Sequence, residues 1–268
     1  MVTLTRPVPP RPRRDRARAG LTLALAAAQV GAIVWQVVFS RGGADLSQRD
    51  GDPPVVPALY TFAIWAPIYG SSLAYAAYQA WPGQAARPLH RQAGPWAAAA
   101  FGAATLWAVA AGLPAPGVTW GTAGLIFLMC GSLLVALDRA SALARGRTDR
   151  LLVVTPLGLY AGYVTLATVA NAASSLQESG VTAPLGIGPT PWAVSMLAVA
   201  GGAAAAVIRR TGGPLAYSTA ALWGLAGVIV QNTAVRPNPP VAGAAGLAAL
   251  AVLGATWWVR GKGRRPEA

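Results

Sequence analysis

The sequence predicts an all-α, polytopic integral membrane helical bundle of about eight transmembrane helices. Three observations predict it. Hydrophobic residues make up 54% of the 268-residue chain and charged residues 11%, against ~25% charged in ordinary soluble domains. The charges leave eight uncharged stretches of 17 to 26 residues, where a tilted helix needs roughly 17–25 to cross the hydrocarbon layer. Those stretches are continuously apolar rather than strictly alternating. A bilayer admits only helices or closed barrels, and this pattern excludes the barrel.

The first stretch, Ala19–Ser40, follows an arginine-rich start and, with Ala26 and Ala28 as a cleavage pair, imitates a signal peptide. Its apolar run continues to Phe39, too long for a signal core of ~7–15 residues, and it reads as a retained span. The second, Val56–Trp81, contains YTFAIWAPIYG, with four aromatics and Pro67 in eleven uncharged residues. A proline inside a span frees a carbonyl and bends the helix, which membrane helices tolerate when neighbours satisfy the freed group. The third is Trp96–Leu113. The fourth, Val118–Leu137, holds Cys130, the single cysteine, so no disulfide forms. The fifth, Leu151–Asn171, carries Gly158 and Gly162, a small-xxx-small pair suited to close packing. The sixth is Trp192–Ile208. The seventh, Pro214–Thr233, has Gln231–Asn232 near its end, and the eighth, Pro240–Val259, is rich in small residues.

The net charge of +13 has a distribution that argues against nucleic acid. All 21 Lys and Arg lie outside the spans, 18 in one set of alternate loops and tails and 3 (Arg41, Arg49, Arg236) in the other. By the positive-inside rule both termini are cytoplasmic, and the basic tails mark topology or meet anionic lipid. Both tails read as disordered. Arginine and alanine usage points to a GC-rich bacterium and hence to its inner (cell) membrane.

The interior lacks charge altogether. Without an intramembrane carboxylate, cation or histidine, proton relays and coupling-ion sites have no carriers. A retinal Schiff base is excluded, since Lys262 is the only lysine and lies in the tail. No catalytic constellation and no metal-ligand spacing can be assembled, so the reading is a non-enzyme without a required cofactor. His90, the lone histidine, falls between Arg87 and Arg91 and reads as a solvated loop residue.

Six tryptophans (Trp81, Trp96, Trp120, Trp192, Trp257, Trp258) lie at span ends, where the indole N–H reaches the headgroups. Trp35, Trp65, Trp107 and Trp223 lie inside spans and need another reason. In the second span Ala58, Phe62, Trp65 and Tyr69 fall on one helical face. In the fifth, Tyr160, Val164, Ala167, Thr168 and Asn171 share a face with Tyr163 at its border. Two readings stand: helix packing, and the wall of a small-molecule pocket.

The stretch YVTLATVAN, Tyr163–Asn171, resembles the fifth-helix signature W-x-x-x-A-x-x-L-N of the TspO/translocator-protein (tryptophan-rich sensory protein) family. Ala167 and Asn171 match, while Tyr163 replaces the tryptophan and Ala170 the leucine. Trp65 and Tyr69 match the family's second-helix W-x-x-x-Y, and AYAAYQAW is similar to its aromatic exit; Tyr60 and Phe62 fit with a one-residue shift. Pro53–Pro54 remain of the first-loop pattern. The resemblance covers about the first 172 residues and implies a basic tail (1–18), a five-helix bundle (19–175), three additional spans (192–260) and a second basic tail (261–268). It implies a membrane receptor or carrier with a sensory or regulatory role. The ligand would be hydrophobic and planar, a tetrapyrrole (porphyrin) or sterol, held by Phe62, Trp65, Tyr69, Tyr163, Ala167 and Asn171. The implied partners are the bilayer, that ligand and a second copy in a homodimer. The alternative is a transporter or exporter of a small hydrophobic molecule using all eight helices.

Overall fold

The computed structural model describes residues 12–39, 52–113, 118–181 and 184–262. Eight long helices span them: α1 (Pro12–Phe39), α2 (Trp65–Ala80), α3 (Pro88–Ala111), α4 (Thr119–Leu143), α5 (Thr155–Glu178), α6 (Pro189–Thr211), α7 (Leu215–Val230) and α8 (Pro239–Lys262). Six are long and apolar enough to cross a membrane; the segment holding α5 begins at Gly146. The other two, α2 and α7, have 16 residues each, or ~24 Å of helix against a ~30 Å hydrocarbon core. Each is completed by a different kind of turn. A 3₁₀ segment, Leu59–Ile64, leads into α2, and a π turn, Gln231–Val235, follows α7.

This changes the reading of YTFAIWAPIYG. The stretch is not one bent α-helix but a 3₁₀ turn joined to α2 at Trp65, with Pro67 in the first turn of α2. Pro67 thus sits just past the junction of the two segments, where the backbone hydrogen-bond pattern changes from 3₁₀ to α.

The spans read from sequence are short at both ends. α1 begins at Pro12, inside the segment read as a disordered tail. Asp15 near its start is 4% exposed and pairs with Arg91 (2.6 Å) and Arg18 (3.0 Å). A carboxylate at a helix N-terminus that also meets two cations stabilises the extra turns. The tail before Pro12, the loop with Arg41 and Arg49, and the residues after Lys262 lie outside the described residues. His90 corrects the loop reading. Pro88 opens α3 at its first position, which suits proline. His90 is thereby carried inward, 0% exposed, between the rings of Tyr75 and Tyr78 with neither ring nitrogen hydrogen-bonded.

Two groups of helices share one core. α3 packs on α1 and α4, and α4 on α5; α6 packs on α8, and α7 lies against both α5 and α8. The α5–α7 seam is the tightest. A Cβ at Gly158 would lie 3.2 Å from the Tyr217 nitrogen, and one at Gly162 would fall on the Tyr217 carbonyl. The small-xxx-small pair therefore brings two backbones together. The buried tyrosines find polar partners: Tyr217 Oη meets Thr165 Oγ1 at 3.1 Å, Tyr160 donates to Gln29 Oε1 at 3.1 Å, and Tyr75 to Gln79 Oε1 at 2.9 Å. At the end where α3 and α5 begin, Asp149 (1% exposed) accepts from Arg87, Tyr78 and the Arg145 backbone N–H. The hydrogen bond to Asp149 holds the Arg87 guanidinium pKa above its ordinary value. A more exposed pair, Asp138–Arg210 (2.9 Å), joins α4 to α6 at that same end.

Candidate functional site

Phe62, Trp65 and Tyr69 of the second span and Tyr163 of the fifth face a shared cavity of about 470 Å³. That volume lies within the ~300–1,000 Å³ range of small-molecule sites. All six residues singled out from sequence line it: Phe62, Trp65, Tyr69, Tyr163, Ala167 and Asn171. Phe62 and Trp65 are three apart where the backbone is 3₁₀, a spacing that eclipses side chains. Trp65 and Tyr69 then follow at i and i+4 on α2. Their rings stack with centroids 5.4 Å apart and planes at 19°, while Tyr163 presents its edge to Trp65 at 5.3 Å and 86°.

On α5 the cavity face is turned from the one read in the sequence. Tyr163, Leu166, Ala167, Ala170, Asn171 and Ser174 line the cavity. Tyr160, Val164 and Thr168 are buried in the core instead; Tyr160 stacks on Phe101 and meets Trp65 edge-on. Tyr163, taken as the border of the stripe, belongs to its cavity side. A sequence periodicity marks a helix's special face without saying which neighbour meets each edge of it.

Among the described residues no charged side chain lines the cavity. Its polar groups include Gln36, Asn171 and Ser174, besides the tyrosine hydroxyls and the Trp107 indole. Asn171 Oδ1 and Trp107 Nε1 are buried without a hydrogen-bond partner, a condition that costs free energy in an apolar surrounding. Asn171 therefore leaves its acceptor unused toward the neighbouring helices. Among the described residues no group of three or more His, Cys, Asp or Glu forms a metal site.

The wall missed from sequence is α7. Gly224 and Val228 line the cavity, and a Cβ at Gly224 would come within 2.8 Å of Leu166 Cδ1, so the leucine tip would have to shift. The same helix and the π turn after it fasten the segment that enters α2. Asn232 Nδ2 donates to the Pro54 carbonyl (2.8 Å), Ala58 N–H to the Gly227 carbonyl (3.0 Å), and Trp223 Nε1 to the Thr61 carbonyl (2.9 Å). Val55, Val56 and Pro57 of that segment form part of the cavity wall. This accounts for Trp223 inside a span: its ring also takes Tyr60 edge-on at 5.3 Å. Trp107 and Trp65 line the cavity. Trp192, read as an interface anchor, is only partly exposed and lines a smaller cavity of about 360 Å³ with Pro53, Pro54 and Met196.

No curated protein and no solved structure matches the chain. A family model described as TSPO-like protein matches residues 21–258, and the match runs through α6–α8 as well as the five helices that carry the sequence resemblance. An all-α bundle with its aromatic motifs on the second and fifth spans, matched over nearly its whole length, belongs to the TSPO-like protein family.

Proposed function

We propose that this multi-pass membrane protein is a receptor or carrier that holds a hydrophobic, planar ligand, tetrapyrrole-like or sterol-like, in the cavity between α2, α5 and α7. The observation that carries the proposal is the grouping of Trp65, Tyr69 and Tyr163 around an uncharged cavity of about 470 Å³. Offset and edge-on aromatic faces are the surface a planar ring system stacks on. Trp107 N–H and Asn171 Oδ1 supply a donor and an acceptor that the fold leaves without partners. Because the lining carries no charge, an acidic ligand such as a porphyrin keeps its carboxylates at the cavity mouth. The role is sensory or regulatory, and the reading is non-enzymatic.

The test is a titration of purified protein with protoporphyrin, with a sterol in parallel, followed by quenching of tryptophan fluorescence. Trp65→Leu keeps α2 apolar and removes a stacking face worth roughly 1–3 kcal/mol by analogy with base stacking, or about one to two decades in Kd. Trp258→Leu, outside the cavity, leaves binding unchanged. If Trp65→Leu unfolds the protein while its folded remainder binds as before, the aromatic group is packing. The transporter alternative rests on the part that α7 takes in the cavity wall; it requires ligand flux in proteoliposomes, which a sensor does not.

A further inference from the structure

Away from the cavity, the ends of α6 and α8 bring cations together with no counter-charge paired to them among the described residues. Trp258 carries two of them: Lys262 Nζ is 4.1 Å from its ring centroid and Arg209 Cζ is 5.2 Å. Arg260 Nη1 reaches the carbonyl of Gly213 at 3.5 Å. That carbonyl belongs to the α6–α7 turn, where Gly212 and Gly213 both take positive φ (78° and 69°) and Gly213 packs against Val259 and Arg260. The turn therefore locks the two helix ends side by side.

The charge at this junction does not balance. Arg210 is taken by Asp138, Arg87 by Asp149, and Arg18 and Arg91 by Asp15. Glu178 bonds Thr119 at the opposite end of the bundle. No carboxylate among the described residues forms an ion pair with Arg209, Arg260 or Lys262. The C-termini of α6 and α8 offset part of this, each equivalent to roughly half a negative charge. Among the described residues, three cations against about one negative charge leave a site roughly two charges positive. Two like charges on one indole ring repel each other unless an anion lies between them, and the ring itself marks headgroup depth.

We propose that the α6–α8 junction binds the phosphate headgroup of an anionic phospholipid, with Arg209 and Lys262 as the charged contacts, Trp258 as the platform that spaces them, and Arg260 at the edge. Lipid is the occupant because the cluster crowns two membrane helices at the end that carries the basic loops. The phosphate therefore arrives already tethered at the right depth. This site is independent of the ligand cavity and of what fills it.

The experiment uses the full chain in mild detergent, with retention of added dioleoylphosphatidylglycerol counted by native mass spectrometry. Dioleoylphosphatidylcholine and inorganic phosphate are the comparison probes. The wild type retains the anionic lipid in preference to the zwitterionic one. Neutralising the pair (Arg209→Gln with Lys262→Gln) weakens retention about 25-fold, at about fivefold per charge. Neutralising two exposed cations elsewhere (Arg13→Gln with Arg14→Gln) removes the same charge and changes retention by less than about twofold. The swap Arg209→Lys with Lys262→Arg retains lipid, which supports the site even where the neutralised pair fails to fold. Equal loss in the Arg13/Arg14 control overturns the inference, as does equal retention of phosphatidylcholine. Displacement of the lipid by inorganic phosphate at similar concentration also overturns it, because that describes a free-anion site.

Discussion

Replacing Gly162 by alanine probes, with a single methyl group, a glycine whose nearest neighbours across the helix seam are backbone atoms. The added Cβ would lie 3.0 Å from both the carbonyl carbon and the Cα of Tyr217, and closer still to its carbonyl oxygen. Ordinary carbon–carbon contact is ~3.5–4.0 Å, so α5 and α7 must part by at least half an ångström along that seam. The obstacle is backbone and cannot rotate away, which places the cost at the upper end of the ~1–3 kcal/mol for overpacking. Two further glycines calibrate the result. A Cβ at Gly158 meets the Tyr217 nitrogen at 3.2 Å and Ala216 Cβ at 3.6 Å, so a shift of a few tenths of an ångström suffices. That strain is offset by the ~0.5–1 kcal/mol an alanine gains over glycine inside a helix. Gly70 has nothing within 4 Å of its Cβ position, and Gly70→Ala takes the full gain. Thermal unfolding in detergent, followed by near-ultraviolet circular dichroism, should rank the variants Gly70→Ala, then Gly158→Ala near wild type, then Gly162→Ala well below. Tyr217→Phe combined with Gly162→Ala should be less than additive, since parting the helices already loosens the 3.1 Å Tyr217–Thr165 hydrogen bond. A Gly162→Ala protein as stable as Gly70→Ala refutes the α5–α7 seam.

The ion pairs should separate by burial. Arg87→Met leaves the enclosed Asp149 carboxylate without its cation and costs about 3 kcal/mol, whereas Arg210→Met, at a pair with a 74% exposed arginine, leaves the melting temperature nearly unchanged; equal losses would show that Asp149 is solvated. Trp223→Phe strips the Thr61 carbonyl of its donor, at ~1–3 kcal/mol, and should raise the ligand off-rate in stopped-flow measurements while leaving α7 inserted. Reporter fusions after Gly117, Ser179 and Pro237 should read on the side opposite the cytoplasm, and fusions after Arg145 and at Ala268 on the cytoplasmic side. An odd number of crossings overturns that topology.

Much of this fold is legible because the bilayer restricts the choices: eight uncharged runs become eight helices, and loop charge separates their ends. Residues such as Trp65, Tyr69 and Asn171 are legible as a candidate site, lining one cavity, through spacing within single helices. What escapes is set by distance along the chain. Gly224 and Val228 gave no signal, because their importance lies in what approaches them from α5 and from the segment before α2. His90 misled because its flanking arginines suggested solvent, whereas Arg91 pairs with Asp15 and Arg87 with Asp149, leaving the imidazole enclosed. The helical part of the tail, from Pro12, escapes for a similar reason: Asp15 looks solvated until Arg91, 76 residues later, is placed beside it.

The hydrogen bond from Asn232 to Pro54 joins residues 178 apart in sequence. At a synthesis rate of roughly 5–20 residues per second, about 9–36 s pass between the two leaving the ribosome. Over about that interval the carbonyls of Pro54 and Thr61 and the N–H of Ala58 lack the partners that α7 and its π turn later bring. Unpaired polar groups are costly in hydrocarbon, so the aromatic entry segment stays at the wet interface until the seventh helix is inserted. The cavity is thus finished late in the protein's synthesis, and a chain that stalls before α7 carries every aromatic residue of the pocket but not the wall that closes it.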